Sequence, residues 1–489
     1  MNHGDYNFVN FGEGYGTVSA QEVDELNKAL EAGAGYSGAP TSLTGGGALQ
    51  VESLDASLKS VTYEMKNIKF WPIIAKDQAF NTIEQYNRID KYGDQGRGFI
   101  AEGALPRSED SSYSRQIQRV RFIGVTRELT HVYTLVRNAH GDAIAREIRN
   151  GTMRILEIVE RALFDGRGHY QDIATGAFTG ADAAILASDL AWEGLDKQIR
   201  KGNTDSSAAA GAFVGYGISE SVVRDSRGLV MDEDSLEDDA RIVAEHMGQP
   251  SLMLLDTKAH SDLGRQFFPK ERVNPIGVSN GKAGFVLQQF LSASGAFGLV
   301  SDVFLRPLRT PTASPSGAPS APGALTVTAP GATAGSKWSA GEAGSYSYIA
   351  TAVNDAGESV ASAASAGVAV AAGEALNVAI PAVAGAYAYK VYRAPVGTIL
   401  NHEFIGMAAP ASVGAGVTFK DSNHKLPGLA QAYLLSNDSE VLRFKQLAPL
   451  MKMDLAIIAT AYRWMQLMYG TPVVYAPRKC LVRENIGRS

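Results

Sequence analysis

Apolar and polar positions follow three different rhythms along the chain. From residue 49, Leu54, Leu58, Val61 and Met65 recur at spacings of 4, 3 and 4, the interval of one helix face. Pro72 predicts that this helix ends before it. Two alternating runs follow, FNTIEQYNRID (80–90) and YSRQIQRVRFIGVTREL (113–129), and predict the strands of a hairpin. DAIAREIRNGTMRILEIVERALFDG then keeps Ile144, Ile148, Ile155, Val159 and Leu163 on one stripe. Asp142 suits its N-cap and Gly166 the C′ position. A helix over residues 142–165 would be about 36 Å long.

A second mixed unit follows. DSLEDDARIVAEHMGQP predicts a helix capped at Ser235, SLMLLD a buried strand, TKAHSDLGRQF a helix after Asp256, and GLVSDVFLRPL another strand. At Pro307 the texture changes. Prolines 307, 311, 315, 319 and 322 mark a stiff linker, and residues 318–430 carry 11 charged residues in 113, so this segment reads as a separately built module. Its seven short runs, ALTVTA, YSYIATAV, ESVASA, ALNVAIPA, AYKVYRA, HEFIGM and GVTFKD, predict an all-β sandwich similar to immunoglobulin-like or fibronectin type III domains. After Pro427-Gly428 the mixed pattern resumes. The sandwich is therefore expected as an insertion into a host-domain loop, adding little to the host core. The fold class is α+β with an inserted all-β module.

The hairpin is unusually polar. Glu84, Arg88, Arg115, Arg119 and Arg121 interleave with Ile83, Tyr86, Ile117 and Phe122, and a long Gly-rich, charged loop joins the two runs. Such a ribbon is marginal alone, so it is expected to lie against another chain. Its basic residues Arg88, Lys91, Arg97, Arg115, Arg119 and Arg121 are the candidates for that contact.

Composition narrows the classes. A net charge of −6 in 489 residues argues against a basic nucleic-acid reader. The single Cys480 rules out an intrachain disulfide and a cysteine-rich metal cluster. The opening MNHGDYNFVNFGEGYG has no basic segment before an apolar core, unlike a signal peptide, and no apolar run reaches the roughly 20 residues of a membrane span. Residues 1–48 read as a polar arm holding one short helical pattern, QEVDELNKALEA.

Catalytic patterns are missing. GVSNGKA (277–283) falls one residue short of a phosphate loop and has Ala283 where a Ser or Thr would reach magnesium. MDEDSLEDD lacks the Gly and closing Glu of a calcium loop. The histidines form no HExxH, no serine occupies a G-x-S-x-G elbow, and Cys480 reads as a packing residue. The expectation is a structural protein without enzymatic activity, cofactor or metal.

The order of parts resembles the major capsid proteins of tailed bacteriophages, the Hong Kong 97-type fold. The likeness runs through ALQVESLDASLKSVTYEMKNIKFWPII, NTIEQYNRI, EGALPRSEDSSYSRQIQRVRFIGVTRELTH and the helix ending ERALFDG, then FFPKERVNPIGVSNGKAGFVLQQFLSASGAFGLVSDVFL. It covers residues 49–310 and 432–489. It implies an N-terminal arm (1–48), an E-loop (about 78–128), a spine helix (about 142–165), an axial domain (about 235–305), the insertion (318–430) and a return to the core (431–489). The resemblance further implies a virion protein assembled in the bacterial cytoplasm. Its partners would be its own copies in hexamers and pentamers, a separate scaffolding protein and a portal. It would enclose double-stranded DNA without reading its sequence, and it would not associate with membrane. The sandwich would decorate the outer surface and could touch host glycans weakly through Tyr387, Tyr389 and Tyr392. The alternative reading is a cell-surface adhesin or glycan-binding protein, and a third is a nucleotide-dependent enzyme.

Overall fold

The structure, a computed structural model, describes residues 62–93, 98–136, 141–172, 174–178, 189–204, 220–267, 287–396, 402–456 and 459–487. The arm 1–48, Leu54, Leu58, Val61, Arg97 and the loop 277–283 lie outside them. Residues 62–135 and 144–489 belong to one compact unit. Among the described residues, no helix is long and apolar enough to cross a membrane.

The chain runs through β1 (Lys76–Gln78), β2 (Ile83–Lys91), β3 (Ser112–Arg119), β4 (Arg121–Thr130), the long helix Ala143–Asp165 and β5 (Val223–Asp225). Next come β6 (Leu252–Asp256), β7 (Gln289–Ser292) and β8 (Gly295–Asp302). The inserted segment holds β9 (Thr326–Ala332), β10 (Gly344–Asn354), β11 (Gly357–Glu358), β12 (Val368–Val370), β13 (Glu374–Ile380), β14 (Ala388–Pro395), β15 (Glu403–Ala408) and β16 (Val417–Asp421). The chain closes with β17 (Ala430–Leu435), β18 (Leu442–Asp454), β19 (Ala461–Val474) and β20 (Leu481–Ile486).

Local chemistry explains where elements begin and end. The helix expected to end before Pro72 falls mostly outside the described residues; Pro72 itself lies inside a separate short helix, Phe70–Ile73, in the first turn, where a missing N–H costs nothing. The run 113–129 is two strands broken at Val120, which is buried. The long helix buries Ile155, Val159 and Leu163 completely. At its end Arg167, not Gly166, takes the left-handed conformation (φ 52°). Gly166 is required for another reason: a Cβ there would meet the Ala162 and Trp192 carbonyl oxygens at 2.6 and 2.7 Å. Helix Glu233–Glu245 is capped by Asp232 rather than Ser235; the aspartate accepts the Ser235 N–H.

Two host sheets flank this helix. One has the order β1–β18–β19–β4, the other β5–β20–β17–β6–β8–β7, while among the described residues β2 and β3 pair only with each other. Strand β8 runs parallel to β6 and ends with Asp302 opposite Asp256. Strand β17 runs antiparallel on the other side of β6, placing Ala432 opposite Leu255. The chain therefore leaves and re-enters the sheet at one end, two strand spacings or about 10 Å apart.

Between those points lie two antiparallel sheets, β16–β13–β9 and β11–β10–β14–β15, with β12 also on β10. They enclose their own core, including Trp338, Tyr348, Leu376, Val391, Ile405 and Phe419. Within it Arg393, fully buried, pairs with Asp421 at 2.5 Å and lies 4.6 Å over the Trp338 ring. The segment ESVASA, expected as a strand, is one only at Glu358 of β11, and an irregular run continues from it to Ser365. Its serines recur every three residues, and three of its residues advance past two of β10. Ser359, Ser362 and Ser365 donate their backbone N–H to Ala352, Ala350 and Tyr348. Their hydroxyls accept the N–H of those same residues at 2.9, 3.1 and 3.0 Å. This spiral closes the edge of β10 where a plain strand would leave a template for mispairing.

The sandwich is also tied to the host, contrary to the expectation of a loosely attached module. Arg227 donates to the Asn423 carbonyl at 2.7 Å and pairs with Glu342 at 2.8 Å. Lys337 pairs with Asp225 at 2.7 Å, and Gln171 exchanges hydrogen bonds with the Lys420 backbone. Excising the sandwich would strip these partners from Arg227, Asp225 and Gln171.

Replacing Ser359, Ser362 and Ser365 by alanine leaves three β10 N–H groups without acceptors. At about 1–3 kcal/mol for each buried unsatisfied group, the triple variant is expected to lose several kcal/mol, read as a lowered urea midpoint of the chain.

Candidate intersubunit surface

The hairpin register pairs Ile83 with Arg119, Gln85 with Ile117, Asn87 with Arg115 and Ile89 with Tyr113. Because side chains alternate along a strand, these eight residues share one face. That face is the exposed one: Ile89, Ile117 and Tyr113 are 51, 54 and 66% exposed. The opposite face is polar and turned toward the body of the chain. Tyr86 packs edge-on against Tyr475 at 4.9 Å, Glu84 pairs with Lys445 at 3.4 Å, and Gln118 donates to Glu193 at 3.1 Å. The hairpin is inside out, with its apolar residues facing away from its own subunit. In the loop beyond it, Phe99 and Leu105 are each 93% exposed. Beneath it runs a groove of about 710 Å³, bordered by Tyr86, Lys91, Tyr92, Arg443 and Arg478.

A second apolar face lies on the four-stranded sheet. The register aligns Phe122 with Tyr469, Gly124 with Leu467 and Met451, and Thr126 with Met465 and Met453. These side chains point outward, with Phe122 and Met453 exposed. The other face of the sheet, with Ile123, Val125 and Met468, joins the core, and Gln466 donates to the Ile148 carbonyl of the long helix at 2.8 Å. Methionine makes such a face adaptable, because its unbranched thioether refits to different partners.

The basic candidates divide. Arg115 and Arg119 stand on the exposed face among Ile83, Ile89, Tyr113 and Ile117, with Arg115 held to Asn87 at 3.0 Å. Arg88 belongs to the covered face, paired with Asp90 at 2.9 Å and bonded to Ser114. Arg121 lies past the break at Val120; burial and the nearby Arg167 and Arg119 push its guanidinium down. Lys91 is half-buried at the groove. The candidates that sequence reasoning missed are the isoleucines and Tyr113. Their signal was parity: Ile83 and Ile89 are odd-numbered like Tyr113 and Ile117, whereas Tyr86 is even and faces inward.

Other expected sites take simpler roles. Cys480 is buried, its thiol pushed up to about 12 by burial, a packing residue. Tyr389 and Tyr392 are fully buried, with hydroxyls bonded to Ala415 and Glu358, and Tyr387 packs in the small cluster with Tyr170. Burial in the sandwich core keeps the rings of Tyr389 and Tyr392 from a surface glycan, while Tyr387 is half-buried. Among the described residues no group of three His, Cys, Asp or Glu side chains could hold a metal ion.

Arg88→Ser should leave the buried Asp90 carboxylate without its guanidinium, keeping the Ser114 hydroxyl donor, and lower stability by about 1–3 kcal/mol. Arg115→Ser and Arg119→Ser should leave the urea midpoint unchanged, separating the inward arginine from the two outward ones.

No family model matches the chain. In solved structures the chain is similar to the Gordonia phage Cozz protein, with 12% identity, 93% of this chain and 97% of that one covered, and a TM-score of 0.43. It is also similar to the capsid of a native GTA particle, with 8% identity, 92 and 99% covered, and a TM-score of 0.42. In sequence it is 22% identical over 468 residues to a putative major capsid protein of Enterococcus phage phiEF24C, covering 92% of this chain and 93% of that protein. Along nearly all of its length, the chain is a homologue of a putative phage major capsid protein.

Proposed function

We propose that this chain is a major capsid protein of the Hong Kong 97-type fold, whose copies assemble into the icosahedral head of a tailed phage. The observation that carries the reading is the inside-out hairpin. A subunit with Ile83, Ile89, Tyr113 and Ile117 turned to solvent has an apolar ribbon that the described residues of its own body do not cover. Covering it with a neighbouring copy would contribute on the order of 1 kcal/mol for each of the four side chains, repeated at every contact of a closed shell. The outward methionine-rich face of β4, β19 and β18 offers a surface of matching character on that neighbour, and Arg115 and Arg119 would add polar contacts around it. The homology to a capsid protein over 92% of the chain supports the same reading.

In this reading the chain is a structural virion protein rather than an enzyme. It assembles with its own copies as hexamers and pentamers, with a scaffolding protein and a portal, around double-stranded DNA that it does not read. Residues 318–430 form an immunoglobulin-like insertion on the outer surface, docked through Arg227 and Lys337 rather than swinging from a linker. The burial of Tyr389 and Tyr392 removes two of the three rings on which a glycan-binding reading rested.

Expression of the wild-type chain with its scaffolding partner should give closed shells by sedimentation and electron microscopy. The combined variant Ile83→Thr, Ile89→Thr, Tyr113→Ser and Ile117→Thr keeps the strand-compatible backbone and should stay folded by circular dichroism, yet remain as unassembled subunits. Wild-type-sized shells from that variant would overturn the role of this face.

A further inference from the structure

Two sandwich strands lie at the ends of their sheets. β15 is the last strand of β11–β10–β14–β15, and β16 the first of β16–β13–β9, so each has an edge that no other sandwich strand pairs among the described residues. Host residues just past the long helix run along both edges. On β15, Met407 donates its N–H to the His169 carbonyl at 2.8 Å and accepts the Gln171 N–H at 2.9 Å, a parallel bridge centred on Tyr170. On β16, Lys420 meets a side chain instead. Its N–H donates to Gln171 Oε1 at 3.1 Å, and its carbonyl accepts from Gln171 Nε2 at 2.5 Å. A carboxamide carries the same acceptor and N–H donor as a peptide group. Gln171 thus gives β15 its backbone and gives β16 a substitute for one.

The chain beyond Gln171 holds that carboxamide in place. Its Nε2 also donates to the Gly176 carbonyl at 2.8 Å. The Gly176 N–H donates to the Asp172 carbonyl at 2.7 Å and the Asp172 N–H to the Ala177 carbonyl at 2.9 Å, closing a turn. Gly176 is left-handed (φ 74°), and a Cβ there would lie 2.5 Å from Ser422 Oγ and 2.9 Å from the Lys420 carbonyl oxygen. Lys420 Nζ returns to the Ala174 carbonyl at 2.8 Å, and Ser422 Oγ to that of Thr175 at 3.3 Å. Phe178 fills the space at Gly406, where a Cβ would meet its ring at 2.9 Å.

We propose that residues 169–172 and 174–178 are a strap that completes the sandwich, so that the inserted segment holds its native packing only while the end of the long helix is in place. The strap begins at His169, soon after Asp165 ends that helix. Strand addition of this kind draws its strength from main-chain hydrogen bonds, and here the added segment belongs to the host. The residues it holds stand beside the sandwich core, to which Ile405 of β15 and Phe419 of β16 belong. Gln171, itself buried, is a positioning residue that ties β16 to the chain already paired with β15. The inserted segment is then a conditional module, ordered by the host although its sequence reads as separately built. The strap is a property of this fold and stands apart from the capsid reading.

Hydrogen exchange of the full chain, followed by mass spectrometry across a urea series, tests the strap. In the wild type, peptides from β13 to β16 should lose protection together with the end of the long helix. A sandwich that stays protected after the helix end has opened would overturn the proposal. Gln171→Met keeps the length of the side chain and loses its hydrogen bonds. Gln171→Glu keeps an acceptor for the Lys420 N–H but turns a carboxylate toward the Lys420 and Gly176 carbonyls. Without urea, both variants should speed exchange in β15 and β16 by about tenfold or more, while β6 and the middle of the long helix keep wild-type rates. Unchanged exchange in β15 and β16 in both variants would equally sink the strap. If neither variant folds, the wild-type series alone decides.

Discussion

The second half of the long helix is the constraint on which the other parts depend. Phe164 is stacked between Phe70 and Tyr433, with ring centroids 5.4 and 5.6 Å away. One side chain thereby joins the segment before the hairpin to β17 at the middle of the six-stranded sheet. Ile155, Val159 and Leu163 complete a stripe without solvent exposure, and Glu160, one residue off that stripe, gathers the amides of Lys69, Phe70 and Trp71. The arrangement follows from the 3.6-residue repeat, which brings residues three and four apart onto one side of a helix. It leaves little slack: at Gly166 the chain passes so close to Trp192 that even a methyl group would collide.

Around that anchor, the two β appendages solve the problem of burial in opposite ways. The sandwich closes its own core and seals the edge of β10 with hydroxyls, then docks through charged and polar groups, with Arg227 bridging Asn423 and Glu342. The hairpin does the reverse. Its polar face meets its own body through Glu84, Tyr86 and Gln118, and its apolar face is left outward. Apolar groups in water are unfavourable wherever they stand, so the first arrangement suits a part that functions within its subunit and the second a part completed by another chain. A host that keeps its outward sheet face rich in methionine fits the second arrangement as well.

The parts that could be read from sequence were those whose signal is local. The stripe from Ile144 to Leu163, the buried run SLMLLD and most of the strands between Thr326 and Asp421 each announce their own periodicity within one window. The proline-rich stretch and the drop in charge marked the inserted segment before its strands were placed. The short helix around Pro72 had no such local signal: it starts at Phe70 for a reason lying 90 residues away in Glu160.

What the sequence by itself determined was thus the identity and order of the elements: a hairpin, a long helix, a mixed sheet and an all-β insert. Tertiary structure alone decided which side of each element meets what. Alternation in β2 and β3 states that the ribbon has two faces, and nothing local says which one the body covers, since either choice satisfies the backbone equally. The same holds for the serines 359, 362 and 365, whose spacing acquires meaning only against the two-residue repeat of β10. It holds most of all for Glu160, an ordinary acid in its own stretch of sequence, whose buried carboxylate gathers the amides of Lys69, Phe70 and Trp71. Those donors meet it only because the fold closes about 90 residues of chain onto one point, and a local pattern carries no trace of a partner that distant.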